Sequence, residues 1–233
     1  MDIEGARFLV VGGTGVLGGL TARSLVEAGA RVVVTGRDTE RLGEVASAAG
    51  TEPIELDVVD VEACAAAVAS AADQLGGLDG LFVATGVPAF GAALEIEAAI
   101  AEELFAVNTL GPMALVRAAG PLLEKSETGV VAVLSAILAD LPTNQMADYS
   151  ASKAALSAWL GVVRRENRRH FRVLDIRPPH LDTGLSEHPL AGTAPKLPEP
   201  LAGSAVVEAT MKALSDDASE IVWDPKAKEL VLK

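Results

Sequence analysis

The chain has 233 residues, half of them apolar and only 3% aromatic, with a formal net charge of −13. That length accommodates one large domain or two small ones with a substantial core. The acidic balance argues against nucleic acid or an anionic membrane as partner, because phosphates need a cationic surface, and the single cysteine, Cys64, excludes an internal disulfide.

Short β-rich runs alternate with longer helical stretches. "RFLVV" (7–11) reads as a strand, Gly15–Ala28 as a helix ended by Gly29, and "RVVVT" (31–35) as the next strand. A helix over Thr39–Ala49, closed by Gly50, leads to "EPIELD" (52–57), then to an Ala-rich helix over Val61–Gln74 with Asp60 as N-cap. "GLFVA" (80–84) is the fourth strand, and residues 96–125 form a long helix broken around "NTLGP" (108–112). "GVVAVLS" (129–135), a helix over Ser150–Arg168, and "RVLDIRP" (172–178) follow. A Pro- and Gly-rich segment (178–200) precedes a last helix (203–215) and the strand "EIVWD" (220–224). This alternation predicts one α/β domain over residues 1–233, a doubly wound parallel sheet of about seven strands with helices on both faces. Residues 184–200 are its one long irregular insertion, expected to cover a substrate as a mobile lid. The N-terminus lacks the basic segment and apolar run of a secretion signal. No uninterrupted apolar stretch approaches the ~20 residues of a membrane span, so a soluble cytoplasmic protein is expected.

"VVGGTGVLGG" (10–19) joins the first strand to the first helix, with Gly12, Gly15 and Gly18 spaced three apart. Glycine lets the chain turn sharply, lets a pyrophosphate approach the backbone, and lets helix and strand pack closely. The helix N-terminus then offers free N–H groups and partial positive charge. The second strand ends in Thr35–Gly36 followed by Arg37, where a site for NAD usually places an acidic side chain. A guanidinium there suits a 2′-phosphate, which favours NADP(H) over NAD(H).

Tyr149 and Lys153 stand four residues apart, on one face of a helix. A free phenol, with a pKa near ~10, is a poor acid–base at neutral pH. An ammonium ~4 Å away attracts its anion by on the order of 4 kcal/mol at an effective dielectric of ~20, before desolvation is subtracted. The pair is thus expected to bring the phenol towards working pH.

Taken with "GGTGVLG" (12–18), "ELDVVD" (55–60), "VNTLGP" (107–112), "YSASK" (149–153) and "RPPHLDT" (177–183), the chain resembles the short-chain dehydrogenase/reductase family along nearly its whole length. The resemblance implies a single NAD(P)-binding Rossmann domain and hydride transfer between cofactor and substrate. Tyr149 would be the acid–base, Lys153 would lower its pKa and bind the nicotinamide ribose, and Asn108 would hold a water in a proton relay. Gly12, Thr14, Gly15, Val16, Leu17 and Gly18 would cradle the cofactor with Arg37. Asp57 and Val58 would border the adenine, Ala84 and Gly86 would line the cleft after the fourth strand, and Leu181 and Thr183 would contact the carboxamide end. A homodimer or homotetramer through the helices at 96–125 and 150–168 is implied as well. Asn followed closely by Gly–Pro is also a poor interior helix sequence in its own right, so a backbone irregularity is expected at Asn108.

Ser135 is the one hydroxyl available at the end of the fifth strand, and it joins the candidate catalytic set. The family places its second donor thirteen residues before the Tyr, and that position here is Ala136. Adjacent strand side chains point to opposite faces, so one residue of offset matters. Three arrangements remain open: a bulge turning Ser135 inward, replacement by Thr143 or Asn144, or a site with Tyr149 as its single donor. Where the family has Asn–Ala–Gly after the fourth strand this chain has "ATG" (84–86), and Pro178–Pro179 replaces the usual Pro–Gly.

Cys64, among alanines, reads as a helix core residue, and the basic run "RRENRRH" (164–170) as a helix C-terminus. His170, His180 and His188 lack the spacing of a metal site, so no metal is expected, although His180 lies beside the expected nicotinamide mouth. Val87, Phe90, Leu138, Met146 and Leu185 suit an apolar pocket as well as a core. The function read from the sequence is an NADP(H)-dependent oxidoreductase interconverting a small-molecule carbonyl and a secondary alcohol. The alternative, raised by Ala136, is a cofactor-binding protein of the same fold with weak or no turnover.

Overall fold

A computed structural model describes all residues 1–233. Its centre is an eight-stranded sheet, one strand more than the sequence predicts. In chain order the strands are β1 (Arg7–Val11), β2 (Arg31–Gly36), β3 (Ile54–Glu55), β4 (Gly80–Val83), β5 (Val130–Leu134), β6 (Arg172–Arg177), β7 (Leu181–Asp182), β8 (Leu201–Ala202), β9 (Glu220–Asp224) and β10 (Glu229–Leu232). The sheet runs β10-β9-β6-β5-β4-β1-β2-β3, while β7 and β8 form a separate two-stranded ladder. Every pair in the main sheet is parallel except the β9–β10 hairpin.

Seven α-helices connect the strands: α1 (Val16–Glu27), α2 (Thr39–Ala49), α3 (Val61–Leu75), α4 (Ala98–Phe105), α5 (Gly111–Leu123), α6 (Ala147–Glu166) and α7 (Gly203–Ser215). Because strand side chains alternate, the continuously apolar strands supply two cores at once. Leu9, Val11, Val83, Val131 and Val133 face α3, α5 and α6, where they meet Leu115, Leu156 and Leu160. Phe8, Val10, Val34, Phe82 and Ala132 face the opposite layer with Leu25, Leu42 and Leu214 of α1, α2 and α7. Cys64 is fully buried in the first layer, and burial raises its thiol to about 11, as expected of a core residue. Strand order reverses between β1 and β4. At such a switch point the loops diverge and leave a crevice at the strands' carboxyl ends.

Three differences from the predicted elements have local causes. β3 shrinks to two residues because Pro53 has no N–H to donate and Asp57 turns back to accept from the Val59 N–H (3.3 Å). β10, unread in the sequence, is a short antiparallel return along β9 after a turn with Lys228 at φ 54°. α6 begins at Ala147 rather than Ser150, which places Tyr149 inside its first turn. The expected helix break is present as a single π-helical turn, Ala106–Leu110, between α4 and α5, a feature often found at functional sites. The Ala98–Leu123 stretch has the length and composition of a bilayer-crossing helix, yet its Leu104, Leu115 and Leu123 are fully buried in the protein's own core.

The 184–200 segment is anchored at both ends and in its middle. β7 pairs with β8 across its base. Leu190 N–H donates to the Pro88 carbonyl and Phe90 N–H to the Ala191 carbonyl, each at 2.9 Å. Gly192, at φ 72°, lies so close to the Phe90 carbonyl that no Cβ fits there.

Candidate active site

The glycine loop hangs on the tip of β2: the Gly12 and Gly13 N–H groups donate to the Thr35 carbonyl at 3.1 and 2.8 Å. Gly12 has φ 84°, and a Cβ there would meet the Ala84 carbonyl at 3.2 Å, which is how the loop comes to rest on the end of β4. A Cβ on Gly18 would run into the Gly12 carbonyl. A Cβ on Gly36 would press on Thr14 at 2.6 Å. The first turn of α1, with Gly15 as N-cap, receives no side-chain cap, so its N–H groups stay available to an anion. Gly15 and Val16 are exposed, and Thr14 and Leu17 half-buried. This backbone cradle fits a dinucleotide pyrophosphate.

Arg37 is exposed directly beyond β2. Its neighbour Asp38 serves as the N-cap of α2, accepting from the Arg41 N–H at 3.1 Å. The carboxylate nearest the strand tip is therefore engaged by a helix. Asp57 is exposed, whereas the Val58 side chain is buried in the core and its carbonyl packs against Gly111. Ala84 and Gly86 line the crevice, and Leu181 and Thr183 sit half-buried in and just beyond β7.

At the same end of the sheet, α6 presents Tyr149 and Lys153, 8% and 3% exposed. Lys153 Nζ donates to the Leu134 carbonyl at 3.0 Å. A Cβ on Gly86 would stand 3.3 Å from Nζ and 3.4 Å from Asn108 Oδ1, so glycine is what admits both groups. From the π turn, Asn108 accepts from the Val87 N–H (2.9 Å) and donates to the Val87 carbonyl (3.0 Å) and to Ser152 Oγ (3.1 Å). Ser152 in turn donates to the Tyr149 carbonyl at 2.8 Å. Asn108 thus fastens the segment after β4 to the first turns of α6, a connection the sequence did not disclose.

The electrostatics reverse one expectation. Burial pushes the Tyr149 phenol up to about 12. Burial also pulls Lys153 down to about 8, with the Asp175 carboxylate acting in the opposite direction. Desolvation is the leading cause at both groups, because a closed setting penalises either charge. Phe90, Leu104 and Met146 enclose Tyr149, with Leu138, Leu190 and Leu197 packed against them. Val87 joins that wall, while Leu185 is exposed.

Ser135 does not join the group. Its hydroxyl donates to Asp175 and its N–H to the Ile176 carbonyl at 2.9 Å. β5 keeps an unbroken register with β4 and β6, and the Ser135 hydroxyl is taken up by Asp175 of β6 instead of being left free for a ligand. Thr143 and Asn144 are exposed, and Thr143 Oγ1 donates to the Leu141 carbonyl at 3.2 Å. Ala136, extended and buried, stands at the strand's end, before a 3-10 turn over Ile137–Ala139. Of the three open arrangements, the first is absent: no bulge turns Ser135 away from Asp175. His180 bonds the Pro198 carbonyl through Nδ1 at 3.0 Å.

Sequence reading overlooked Asp175. It is 1% exposed and accepts from Ser157 Oγ at 2.5 Å and from Arg177 at 2.7 Å, besides Ser135. One signal was available, since an aspartate inside the apolar run "RVLDIRP" must find buried partners. No group of His, Cys, Asp and Glu side chains has the arrangement of a metal site.

Comparison with known proteins agrees with this geometry. The short chain dehydrogenase family model matches residues 7–191. The chain is 29% identical over 196 residues to the dehydrogenase/reductase SDR family member 7B of Bos taurus, covering 79% of this chain but 60% of that protein's length. An uncharacterized oxidoreductase of Staphylococcus saprophyticus is 30% identical, with 88% of this chain and 92% of that one aligned. Among solved structures, a short chain dehydrogenase from Burkholderia cenocepacia in complex with NADP superposes with a TM-score of 0.84 at 30% identity, over 97% of this chain and 91% of that one. A short-chain dehydrogenase from Streptomyces avermitilis gives a TM-score of 0.86 at 25% identity, over 96% and 90%. On the match over residues 7–191 and the sheet, cradle and buried Tyr149–Lys153 pair that accompany it, the chain belongs to the short-chain dehydrogenase/reductase family of oxidoreductases.

Proposed function

We propose that the protein is an NADP(H)-dependent oxidoreductase that interconverts an apolar ketone or aldehyde and its alcohol. One observation carries the reading: the glycine cradle and the buried Tyr149–Lys153 pair meet at the same end of the sheet, beside the switch point. NADP(H), bound along the cradle, would supply or accept the hydride. The N–H groups of the first turn of α1 and the loop backbone would hold the pyrophosphate, and Arg37 the 2′-phosphate. Lys153, adjoining Gly86 and Asn108, would bind and orient at the ribose end. Tyr149 would give its phenolic proton to the oxygen of a carbonyl during reduction and take it back during oxidation. With its pKa at about 12 in the free protein, the phenol is in the protonated form that reduction needs. The NADP complex of the Burkholderia cenocepacia relative supports the cofactor. Arg37, and the engagement of Asp38 by α2, support its phosphorylated form.

The apolar wall of Phe90, Met146, Leu138, Leu190 and Leu197 favours an apolar substrate. The strap over residues 184–200, hydrogen-bonded to Pro88 and Phe90, would close the pocket. A homodimer or homotetramer through α4–α6, where Leu110 and Val162 are exposed, belongs to the same proposal.

The test is NADPH consumption with a panel of ketones and aldehydes, beside a Tyr149→Phe control. Turnover abolished by the substitution supports the reaction. The position of Ala136 favours a second reading, a cofactor-binding protein with little catalysis. Tight NADPH binding without turnover on any substrate would select it.

A further inference from the structure

Asp175 is the centre of a buried ionic cluster behind the active site. Its carboxylate accepts from Ser135 at the end of β5, from Ser157 of α6 (2.5 Å) and from Arg177 of β6 (2.7 Å). Arg177 also pairs with Glu220 of β9 (2.7 Å), and its Nε lies 2.9 Å from Asp140, which follows the 3-10 turn. Glu220 in turn pairs with Arg164 of α6 at 3.0 Å. Three carboxylates therefore face two guanidiniums, and the cluster keeps one surplus negative charge. Lys153 lies one helical turn from Ser157 and donates to Leu134, the residue before Ser135. It is the next cation inward.

We propose that Asp175 is a positioning residue that acts through Lys153. Held in place by Ser135, Ser157 and Arg177, its carboxylate keeps Lys153 a charged ammonium directed at the Leu134 carbonyl and the cofactor crevice. Ser135 thereby has a role without touching the substrate, since its hydroxyl aligns the carboxylate.

The surroundings of Lys153 support this. Lys153 and Asp175 are bracketed by the same two stretches, since Lys153 bonds Leu134 beside Ser135 and stands one turn from Ser157, and both serines bond Asp175. Tyr149 is the other buried ionisable group on that part of α6, and Arg177, Asp140, Glu220 and Arg164 lie beyond Asp175. The π turn contributes Asn108, and the segment after β4 contributes Gly86, neither of them ionisable. A buried ammonium without a counter-charge loses its proton readily. Burial already pulls Lys153 down to about 8, and Asp175 is the charge that opposes it. An isolated carboxylate here would be costly to bury, and the two serines and Arg177 make it tenable.

The experiment follows the titration of Lys153 by NMR of ¹³C-ε-labelled lysine in ligand-free protein, with Lys153→Arg used for assignment. Asp175→Asn keeps the shape and removes the charge, and should lower the midpoint by at least about one pH unit, a tenfold change in proton affinity. Arg177→Gln leaves the carboxylate less compensated and should raise it. A purely structural role would lower stability in both variants without moving the midpoint in opposite directions. An unchanged midpoint in folded Asp175→Asn, or shifts of the same sign in the two variants, overturns the proposal. If Asp175→Asn does not fold, Arg177→Gln decides alone: an upward shift supports it, and no shift or a downward one overturns it. The catalytic consequence rests on the function proposed above, but the titration does not, so absence of NADPH turnover in the natural protein would sink that function and leave this result legible.

Discussion

Ala136→Ser should add a hydroxyl donor at the position where the family carries one, thirteen residues before Tyr149. Ala136 has an extended backbone (φ −170°, ψ 158°) open to any residue. It is 8% exposed, so an added oxygen would enter a largely dry environment. One pre-aligned donor at a developing oxyanion commonly contributes ~10²–10³ in rate, about 3–4 kcal/mol of barrier. Imperfect alignment will reduce that, and ten- to hundredfold in kcat is the expected gain, with KM nearly unchanged because the bond strengthens in the transition state. Burying a hydroxyl that lacks a partner in the ligand-free protein should also lower stability by about 1–3 kcal/mol. The assay is steady-state NADPH oxidation with the best substrate of the panel, read beside NADPH affinity and a melting curve. A folded Ala136→Ser protein that binds NADPH and turns over no faster than the natural chain would refute the placement of residue 136 beside the reacting oxygen.

Arg37→Asp should weaken NADPH binding at least about tenfold and improve NADH binding, since a carboxylate repels the 2′-phosphate and accepts from the free ribose hydroxyls. Fluorescence titration with both cofactors checks this, and an unchanged ratio removes Arg37 from the site. Lys153→Met should abolish turnover yet raise the melting temperature at pH 7, because burying the ammonium opposes folding. The sign follows from Lys153 lying at about 8 in the folded chain against 10.5 unfolded. The unfolded state holds more protons between those values, so natural-chain stability rises with pH across that window, and the variant should lack the rise in pH-dependent melting. Asp79, held down at about 2 by Arg7 (2.7 Å) and by Ser126, should contribute about 2 kcal/mol above pH 4 that disappears as the pH falls towards 2. Asp79→Asn should flatten that acid limb in urea titrations.

Much of this molecule could be read along the chain, and the unread part shares one cause. The alternation of "RFLVV", "RVVVT" and "GVVAVL" with Ala-rich helices determined a doubly wound sheet, since continuously apolar strands need cover on both faces. Local chemistry likewise determined the glycine cradle, the cap Asp60, and the irregularity at Asn108. β10 escaped notice because four residues of edge strand carry too little pattern, and their pairing with β9 is a tertiary fact. The pairing of Tyr149 with Lys153 was legible as helical spacing, but the charge state of each was not. Burial raised the Tyr149 phenol, with Phe90 and residues of the 184–200 strap, remote in sequence, packed around it, and burial lowered Lys153 as well. The same holds for Ser135, whose partner, Asp175, lies on the neighbouring strand. Spacing along a chain specifies which groups share a face of one element. Desolvation and buried ion pairing depend on what other elements bring up against that face, and only the folded structure decides that.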